Sequence, residues 1–465
     1  MARSRPQHTV ITAKDGSLSA QQLLDAVNSF AFTLVNHDVQ VGSVVGLVGP
    51  ADLNWVVAYH AISWIGAVVA PLPYTIPATT NAELERALNT LQPEFIIATQ
   101  SCDSVLLKSL ASLNIIPTHA QGNSDRIAER FWPLNEPRLC ILTSGTTTGK
   151  PQSITLSTSQ LLFSAFGSAT RLGLLPNDSW LACLPLWHVG GSAIIWRSAF
   201  YGTHVHLLPK FDATTINKHI DSGKINLISL VPIMLERILD ARNDTVFPSS
   251  LRAILIGGSA TNQSLRLRCQ AINAPISISW GMSETASQVA TAFPGVIPDT
   301  DSVGPVLPFA SIHLDKDEVL TVAGPLAPNG NFITHDIGAI ESNGNIQIKG
   351  RIDDVIITGG KKIIAKEVEQ VLCQHEAVAN AAVVGIYNAS WGETPAAFLV
   401  SSDDKKRPND SELMEFCAKA LPNYAIPRHF FWRQIIEQTS LGKIARGALR
   451  SEAALLIKDA NDRSQ

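Results

Sequence analysis

Residues 141–156 read ILTSGTTTGKPQSITL, a composition that suits an anion cradle. Glycine lets main-chain N–H groups approach a ligand. Ser144, Thr146, Thr147 and Thr148 add hydroxyl donors around Gly145, Gly149 and the Lys150 ammonium. The spacing is not that of a P-loop, whose glycines enclose about four residues before Lys-Ser/Thr. Gly145 and Gly149 enclose three, and Pro151 follows Lys150 with no hydroxyl for a metal ion. Taken alone, the stretch fits a phosphate loop of another kind and a Ser/Thr-rich surface turn equally well.

The flanks say what must position it. Leu139-Cys140-Ile141-Leu142 reads as a buried strand running into the loop. Elsewhere helical and strand-like segments alternate. Ser19 to Leu34 and Ala82 to Leu91 carry a helical period. Val44–Val48, Phe95–Ala98, Ile225–Val231 and Ala253–Ile256 are short apolar runs. Strands separated by helices predict an α/β domain with parallel-rich sheets covered on both faces. The pattern changes near residue 350. IQIKGRIDDVIITGGKKIIAKEVEQVL runs strand, charged turn, strand and Gly-Gly turn, then enters a helix at Lys366. Beyond it AAVVGIYN and AAFLVSSD read as strands, and SELMEFCAKAL as a helix capped by Ser411. This predicts a large domain over 1–350, a hinge at 351–354 and a small α+β domain over 355–465. A plain surface hairpin at Arg351–Asp354 is the alternative.

Bulk properties narrow the function. A chain of 465 residues exceeds one compact core, and 45% hydrophobic with 16% charged residues excludes disorder. The net charge of −4, with no long basic block, argues against nucleic acid as a partner. Trp55 to Leu72 is the most apolar stretch. His60, Ser63 and Pro71 within it suit a buried helix followed by a strand better than a membrane span. Six scattered cysteines without a C-x-x-C pair predict reduced thiols and a cytoplasmic setting, with no zinc site. The N-terminal residues lack the apolar segment of a secretory signal. Oligomeric state stays open, a homo-oligomer included.

Five segments in order resemble the adenylate-forming (acyl-CoA synthetase, luciferase-like) superfamily. Thr143 to Ser153 is similar to its T-S-G-T-T-G-x-P-K-G loop, with one extra Thr and with Gln152 where Lys is usual. SWGMSETAS (279–287) resembles Y-G-M-T-E, with Trp280 for Tyr and Ser283 for Thr. THDIG (334–338) resembles T-G-D-x-G, with His335 for Gly. GRIDDVIITGG (350–360) matches the hinge motif, and TSLGKIARGAL (439–449) the final T-x-T-G-K-x-x-R. The resemblance implies a two-step reaction. A carboxylate attacks ATP to give an acyl-adenylate, and a thiol, usually that of CoA, then displaces AMP.

What the resemblance implies for residues follows motif by motif. Thr143, Ser144, Gly145, Thr146, Thr147, Thr148, Gly149 and Lys150 would hold the β- and γ-phosphates of ATP. Gly257, Gly258, Ser259 and Ala260 with Trp280, Gly281, Met282 and Ser283 would enclose the adenine. Asp336 and Arg351 would hold the ribose. Lys443 would bridge the carboxylate and the α-phosphate, where two anions must meet. Glu284 would be the Mg²⁺ ligand, since Mg²⁺ is content with one carboxylate plus phosphate and water oxygens. It equally suits the first turn of a helix. Asp353 would be the pivot of the small domain, and Gly359 and Gly360 would face the CoA pantetheine.

LPLWHVGGSAIIWRS (184–198) resembles the family's acyl-pocket segment. It would place His188 as a gate, Ser192 as a hydrogen-bonding group and Arg197 against a second substrate carboxylate, with Ser287 contributing from the other wall. Arg197 as a helix-surface salt bridge is the alternative, and a packed core histidine the alternative for His188. The W-R pair, MSETASQV and the short length resemble o-succinylbenzoate–CoA ligases of menaquinone and phylloquinone synthesis. Another aryl- or short-acyl-CoA ligase, an enzyme loading a carrier protein in trans, and a silent nucleotide-binding protein remain as other readings.

Overall fold

The computed structural model describes residues 2–74, 82–99, 102, 114–117, 127–143, 152–298, 301–402, 407–437 and 444–464. Tertiary packing divides the chain into two compact units. The first holds Met1–Asp299, Val303–Ser311 and Val322–Phe332; the second holds Thr300–Ser302, Ile312–Thr321 and Ile333–Gln465.

The first unit is built on two sheets. One runs Ile115–Pro117, Phe95–Ala98, Val44–Val48, Val68–Pro71, Pro137–Thr143, Gln152–Ser157 in spatial order. All neighbours in it are parallel except the last pair. The other runs Ser287–Thr291, Ile276–Met282, Ala253–Ile256, Leu227–Leu230, Ser179–Ala182, His204–Leu207, Thr9–Ala13, Gly16–Ser19. Its inner strands are parallel and both outer pairs antiparallel. Strands buried on both faces need continuous apolar runs rather than alternation, which is what VVGLV, VVAP and AILI supply. One core joins Val45 and Leu47 of the first sheet to Trp180 and Val205 of the second. Phe30, Leu34, Trp55, Ile62 and Ile194 pack into it from the helices.

Local signals place several helices. Ser19 caps Ala20–Asn36 through a capping box with Gln22. Asp52 caps Leu53–Trp64 by accepting from the Trp55 N–H at 2.8 Å, and the strand Val68–Pro71 follows. The apolar stretch at 55–72 is thus a buried helix and a strand. No helix among the described residues is long and apolar enough to cross a membrane. All six cysteines are free thiols.

The second unit contains the strand Asn345–Arg351 and most of Asn331–Ile340, Val319–Ala323 and Ser311–Leu314, adjacent in that order within a five-stranded sheet. A further sheet orders Lys361–Ile364, Val355–Thr358, Gly392–Ser401, Val378–Asn388, with His429–Arg433 also pairing with Gly392–Ser401. Its long strands show the period of two. Val383 joins a core with Val368, Leu372 and Leu413, while Ala382, Val384 and Ile386 join Leu449 and Ala453 on the opposite face. Two local expectations change. Asn409, not Ser411, caps the helix Asp410–Ala418, because its side chain reaches the Glu412 N–H and Glu412 reaches back. The four residues after the Gly-Gly turn, Lys361–Ile364, form a strand before the helix Ala365–Leu372 begins. Packing groups 333–350 with the second unit.

Candidate active site

Within the first unit the expected residues cluster at strand ends. The strands Pro137–Thr143 and Gln152–Ser157 pair antiparallel with Thr143 opposite Gln152, and the Thr143 hydroxyl donates to the Gln152 carbonyl at 3.3 Å. Residues 144–151 join the ends of this hairpin. Ser144, Gly145, Thr146, Thr147, Thr148, Gly149 and Lys150 lie outside the described residues.

Ala253–Ile256 runs parallel to Ile276–Met282, so Gly257–Ala260 and Trp280–Gly281 emerge at the carboxyl ends of neighbouring strands. Ligands of open α/β sheets bind at such ends. The Ser279 hydroxyl donates to the Ile256 carbonyl at 2.8 Å and ties the two exits together. Trp280 is buried at 8% exposure. A Cβ on Gly281 would lie 1.7 Å from the Ser287 carbonyl oxygen. No side chain fits there, so the return strand Ser287–Thr291 approaches the Trp280–Gly281 backbone as closely as only glycine permits.

Between those strands, Ser283–Thr285 forms a single 3-10 turn, followed by Ala286 at φ +52° and Ser287 at φ +95°. Two successive non-glycine residues at positive φ cost on the order of 1–3 kcal/mol each, so their surroundings must impose them. The helix Thr158–Leu172 does so. Its Gln160 closes a capping box with Ser157 through the amide oxygen. The same amide nitrogen donates to the Glu284 carbonyl at 2.7 Å and to the Leu326 carbonyl at 3.1 Å. One turn on, the Ser164 hydroxyl donates to the Ala286 carbonyl at 2.6 Å. The Glu284 carboxylate is partly exposed and pairs with no cation among the described residues. A carboxylate held by its backbone and free at its tip fits a hard divalent cation such as Mg²⁺.

The segment 184–198, expected to line an acyl pocket, leads into and forms most of the helix Val189–Tyr201, with His188 partly exposed at the N-cap position. A Cβ on Gly191 would meet the Pro185 carbonyl at 2.2 Å. Ser192 is fully buried and donates to the Leu186 carbonyl at 2.5 Å. Its proton therefore serves the entry to the helix. Arg197 is 1% exposed, which removes the surface-salt-bridge reading. Its Nη2 donates to the Ser164 hydroxyl at 3.0 Å, its Nε has no acceptor, and no carboxylate pairs with it among the described residues. Burial draws its pKa below the usual guanidinium value, with Tyr201 opposing. A buried cation without a counter-charge is costly unless an anion arrives.

In the second unit, the ladder of Asn331–Ile340 with Asn345–Arg351 sets Asp336 directly opposite Arg351. The guanidinium forks, with Nη1 to Asp336 at 3.0 Å and Nη2 to Asp353 at 3.3 Å. His335 approaches the other Asp353 oxygen at 3.3 Å. Register thus joins the expected ribose pair to the expected pivot. Gly359 and Gly360 both have positive φ, and the Gly359 N–H donates to the Trp391 carbonyl at 2.8 Å. Lys443 lies outside the described residues. Three residues on, Arg446 is clamped by Glu369 at 2.6 and 3.0 Å and by Asp354 at 3.1 Å. Burial pushes the Asp354 carboxyl up, against the pull of Arg446.

Sequence reasoning missed Gln160, Ser164 and Glu369. The spacing Ser157-x-x-Gln160 is a readable capping signal. That the same amide also grips a turn some 120 positions later is visible only in three dimensions.

Comparison with known proteins accords with this arrangement. Residues 1–332 match the AMP-binding enzyme family and residues 367–443 the AMP-binding enzyme C-terminal domain. A 2-succinylbenzoate–CoA ligase of Bacillus cereus (strain ATCC 14579) is 30% identical over 96% of this chain and 95% of its own. That of Bacillus cereus (strain Q1) is 29% identical over 96% of both. The o-succinylbenzoate CoA synthetase (MenE) of Bacillus subtilis is similar in its complex with the acyl-adenylate intermediate OSB-AMP. It gives TM-score 0.84 and 27% identity, covering 97% and 96% of the two chains. Its complex with ATP and magnesium ion also gives 0.84 and 27%, over 96% and 98%. ATP-bound MatB from Rhodopseudomonas palustris shares the fold at TM-score 0.87 and 22% identity, over 97% and 98%. One family model alone matches well over half of the chain, and the protein belongs to the AMP-binding enzyme family.

Proposed function

We propose that the protein is an ATP-dependent acid–thiol ligase that converts o-succinylbenzoate to its CoA thioester, a step of menaquinone or phylloquinone synthesis. The observation that carries this is the likeness over 96% of the chain to 2-succinylbenzoate–CoA ligases. The buried Arg197, which meets no carboxylate among the described residues, favours the same acid, because it offers a fixed cation to a second carboxylate.

In the first step a carboxylate oxygen of the acid bonds to the α-phosphorus of ATP, the bond to the β-phosphate oxygen breaks, and pyrophosphate leaves. In the second, the sulfur of CoA bonds to the acyl carbon, the thiol proton is lost, and the acyl–oxygen bond breaks to release AMP. Residues 143–150 hold the β- and γ-phosphates by hydroxyl and main-chain donors. Gly258–Ala260 and Trp280–Ser283 border the adenine. Asp336 accepts from the ribose hydroxyls while Arg351 fixes its carboxylate. Glu284 would hold Mg²⁺, whose charge, when bound, offsets that of the polyphosphate. Lys443 donates between the two anions in the first step. Asp353 is the pivot, and Gly359-Gly360 lets the pantetheine pass in the second. His188 borders the acyl pocket, and Ser287 lines it beside the acid. A cytoplasmic setting fits the six free thiols.

Pyrophosphate release and thioester formation measured with o-succinylbenzoate, benzoates and fatty acids test this reading. Activity on o-succinylbenzoate with CoA as acceptor is expected. Turnover of only another acid, or transfer only to a carrier protein, overturns it. Arg197→Leu is expected to raise KM for o-succinylbenzoate by roughly 10–100-fold while KM for ATP stays near wild type. An unchanged KM for the acid would remove Arg197 from the pocket.

A further inference from the structure

We infer that Ser164 is a specificity-determining and positioning residue, which joins the recognition of the acid to the metal-binding turn. The inference rests on the reading of Arg197 and Glu284 given above. It arises from one hydroxyl in an enclosed place. Ser164 is fully buried on the helix Thr158–Leu172. A serine hydroxyl has one proton and two lone pairs. The proton goes to the Ala286 carbonyl at 2.6 Å, and a lone pair accepts from Arg197 Nη2 at 3.0 Å.

Both ends need what the hydroxyl supplies. Among the described residues Arg197 has no other hydrogen-bond partner and no carboxylate beside it. A neutral acceptor aims the guanidinium without cancelling its charge, so the cation stays available to a substrate anion. An aspartate in that place would aim it equally well and neutralise it. At the other end, Ala286 holds positive φ directly after the turn that carries Glu284. Ser164 anchors its carbonyl, and Gln160, one helical turn earlier on the same face, anchors that of Glu284. A dicarboxylate that pulls on Arg197 therefore pulls through one hydrogen bond on the segment bearing the metal ligand. A monocarboxylic acid, which has nothing for Arg197, does not use this link.

Three variants of the full-length enzyme, assayed by pyrophosphate release with o-succinylbenzoate and with benzoate over a range of Mg²⁺ concentration, test it. Ser164→Ala should raise KM for o-succinylbenzoate by roughly tenfold or more. It should also weaken Mg²⁺ binding in the presence of ATP, read by titration calorimetry and as a higher Mg²⁺ concentration for half-maximal rate with either acid, and at saturating Mg²⁺ leave KM for benzoate within about twofold. Ser164→Asp should raise KM for the dicarboxylate further, by roughly 100-fold, again sparing benzoate. Ser164→Thr, which keeps the hydroxyl, should restore both values towards wild type. Equal rises in KM for both acids at saturating Mg²⁺, or losses that follow the melting temperature alone, overturn the inference and leave Ser164 a packing residue. If Ser164→Ala does not fold, Ser164→Cys gives the same comparison with a weaker donor, and an unselective loss again overturns it. Wild-type enzyme that releases no pyrophosphate with o-succinylbenzoate overturns the proposed function instead, before any variant is made.

Discussion

The Glu284 turn and the Asp336–Arg351–Asp353 cluster are held by opposite means. The turn rests on neutral side chains, Gln160 and Ser164, gripping main-chain carbonyls in a buried place, with Gly281 leaving room for the Ser287 carbonyl. The cluster rests on charge, and Arg351 keeps 39% of its side chain exposed while bridging two carboxylates. Neutral buried hydrogen bonds neither titrate nor feel salt; partly exposed ion pairs are screened and individually weak. One region is thus fixed in shape. The other is adjustable, which suits residues beside a proposed pivot.

The sharpest way to break the contrast is at Gly281. Gly281→Ala places a methyl group on the Ser287 carbonyl and should cost on the order of 3 kcal/mol or more, read as a lower melting temperature together with lost pyrophosphate release. A variant that melts as wild type would show that the close approach is dispensable. Next, Lys443→Ala should slow adenylate formation by about 10²–10³-fold while sparing thioester formation from supplied adenylate. Equal loss in both half-reactions would contradict its assignment to the first step.

Acid should act on the first unit without touching the turn itself. Burial depresses His60, His204 and His206 to about 4 from an ordinary 6.5, with His8 adding to the shift of His204 and His219 to that of His206. These imidazoles stay neutral in the folded protein but take up protons once unfolded below pH 6.5. Their contribution is complete above that value and is lost as pH falls towards 4. Melting temperature should therefore be flat near neutrality and fall across that window. A flat profile down to pH 4 would show that the three sites are open to water. The smallest effect is expected from Arg351→Lys, because a single ammonium cannot fork to both Asp336 and Asp353. A loss of about 1 kcal/mol in ATP binding, shrinking at high salt, is the expected reading. A loss independent of salt would make the cluster resemble the turn.

Much of this was legible along the chain, and for specific reasons. Val44–Val48 and Ala253–Ile256 appear where short apolar runs predict them, and Ala82–Leu91 where the helical period does. Buried strands and amphipathic helices state their burial locally. The strand Lys361–Ile364 is not legible in the sequence, because four residues after a Gly-Gly turn carry too little period to separate a strand from the approach to a helix. The cap of Asp410–Ala418 moved from Ser411 to Asn409, since three candidate capping residues stand in a row and only the Glu412 bond selects one.

By itself, the sequence determined the α/β alternation and the ordered motifs, and it nominated Glu284, Asp336, Arg351 and Arg197. Each is recorded in residue types at short range or in fixed order. Tertiary structure alone decided that Arg197 is buried without an acidic partner among the described residues, that Ser164 receives it, and that one helix grips the turn carrying Glu284. The physical reason is that a buried polar group must find its partner wherever the fold brings one, and sequence distance carries no record of that meeting.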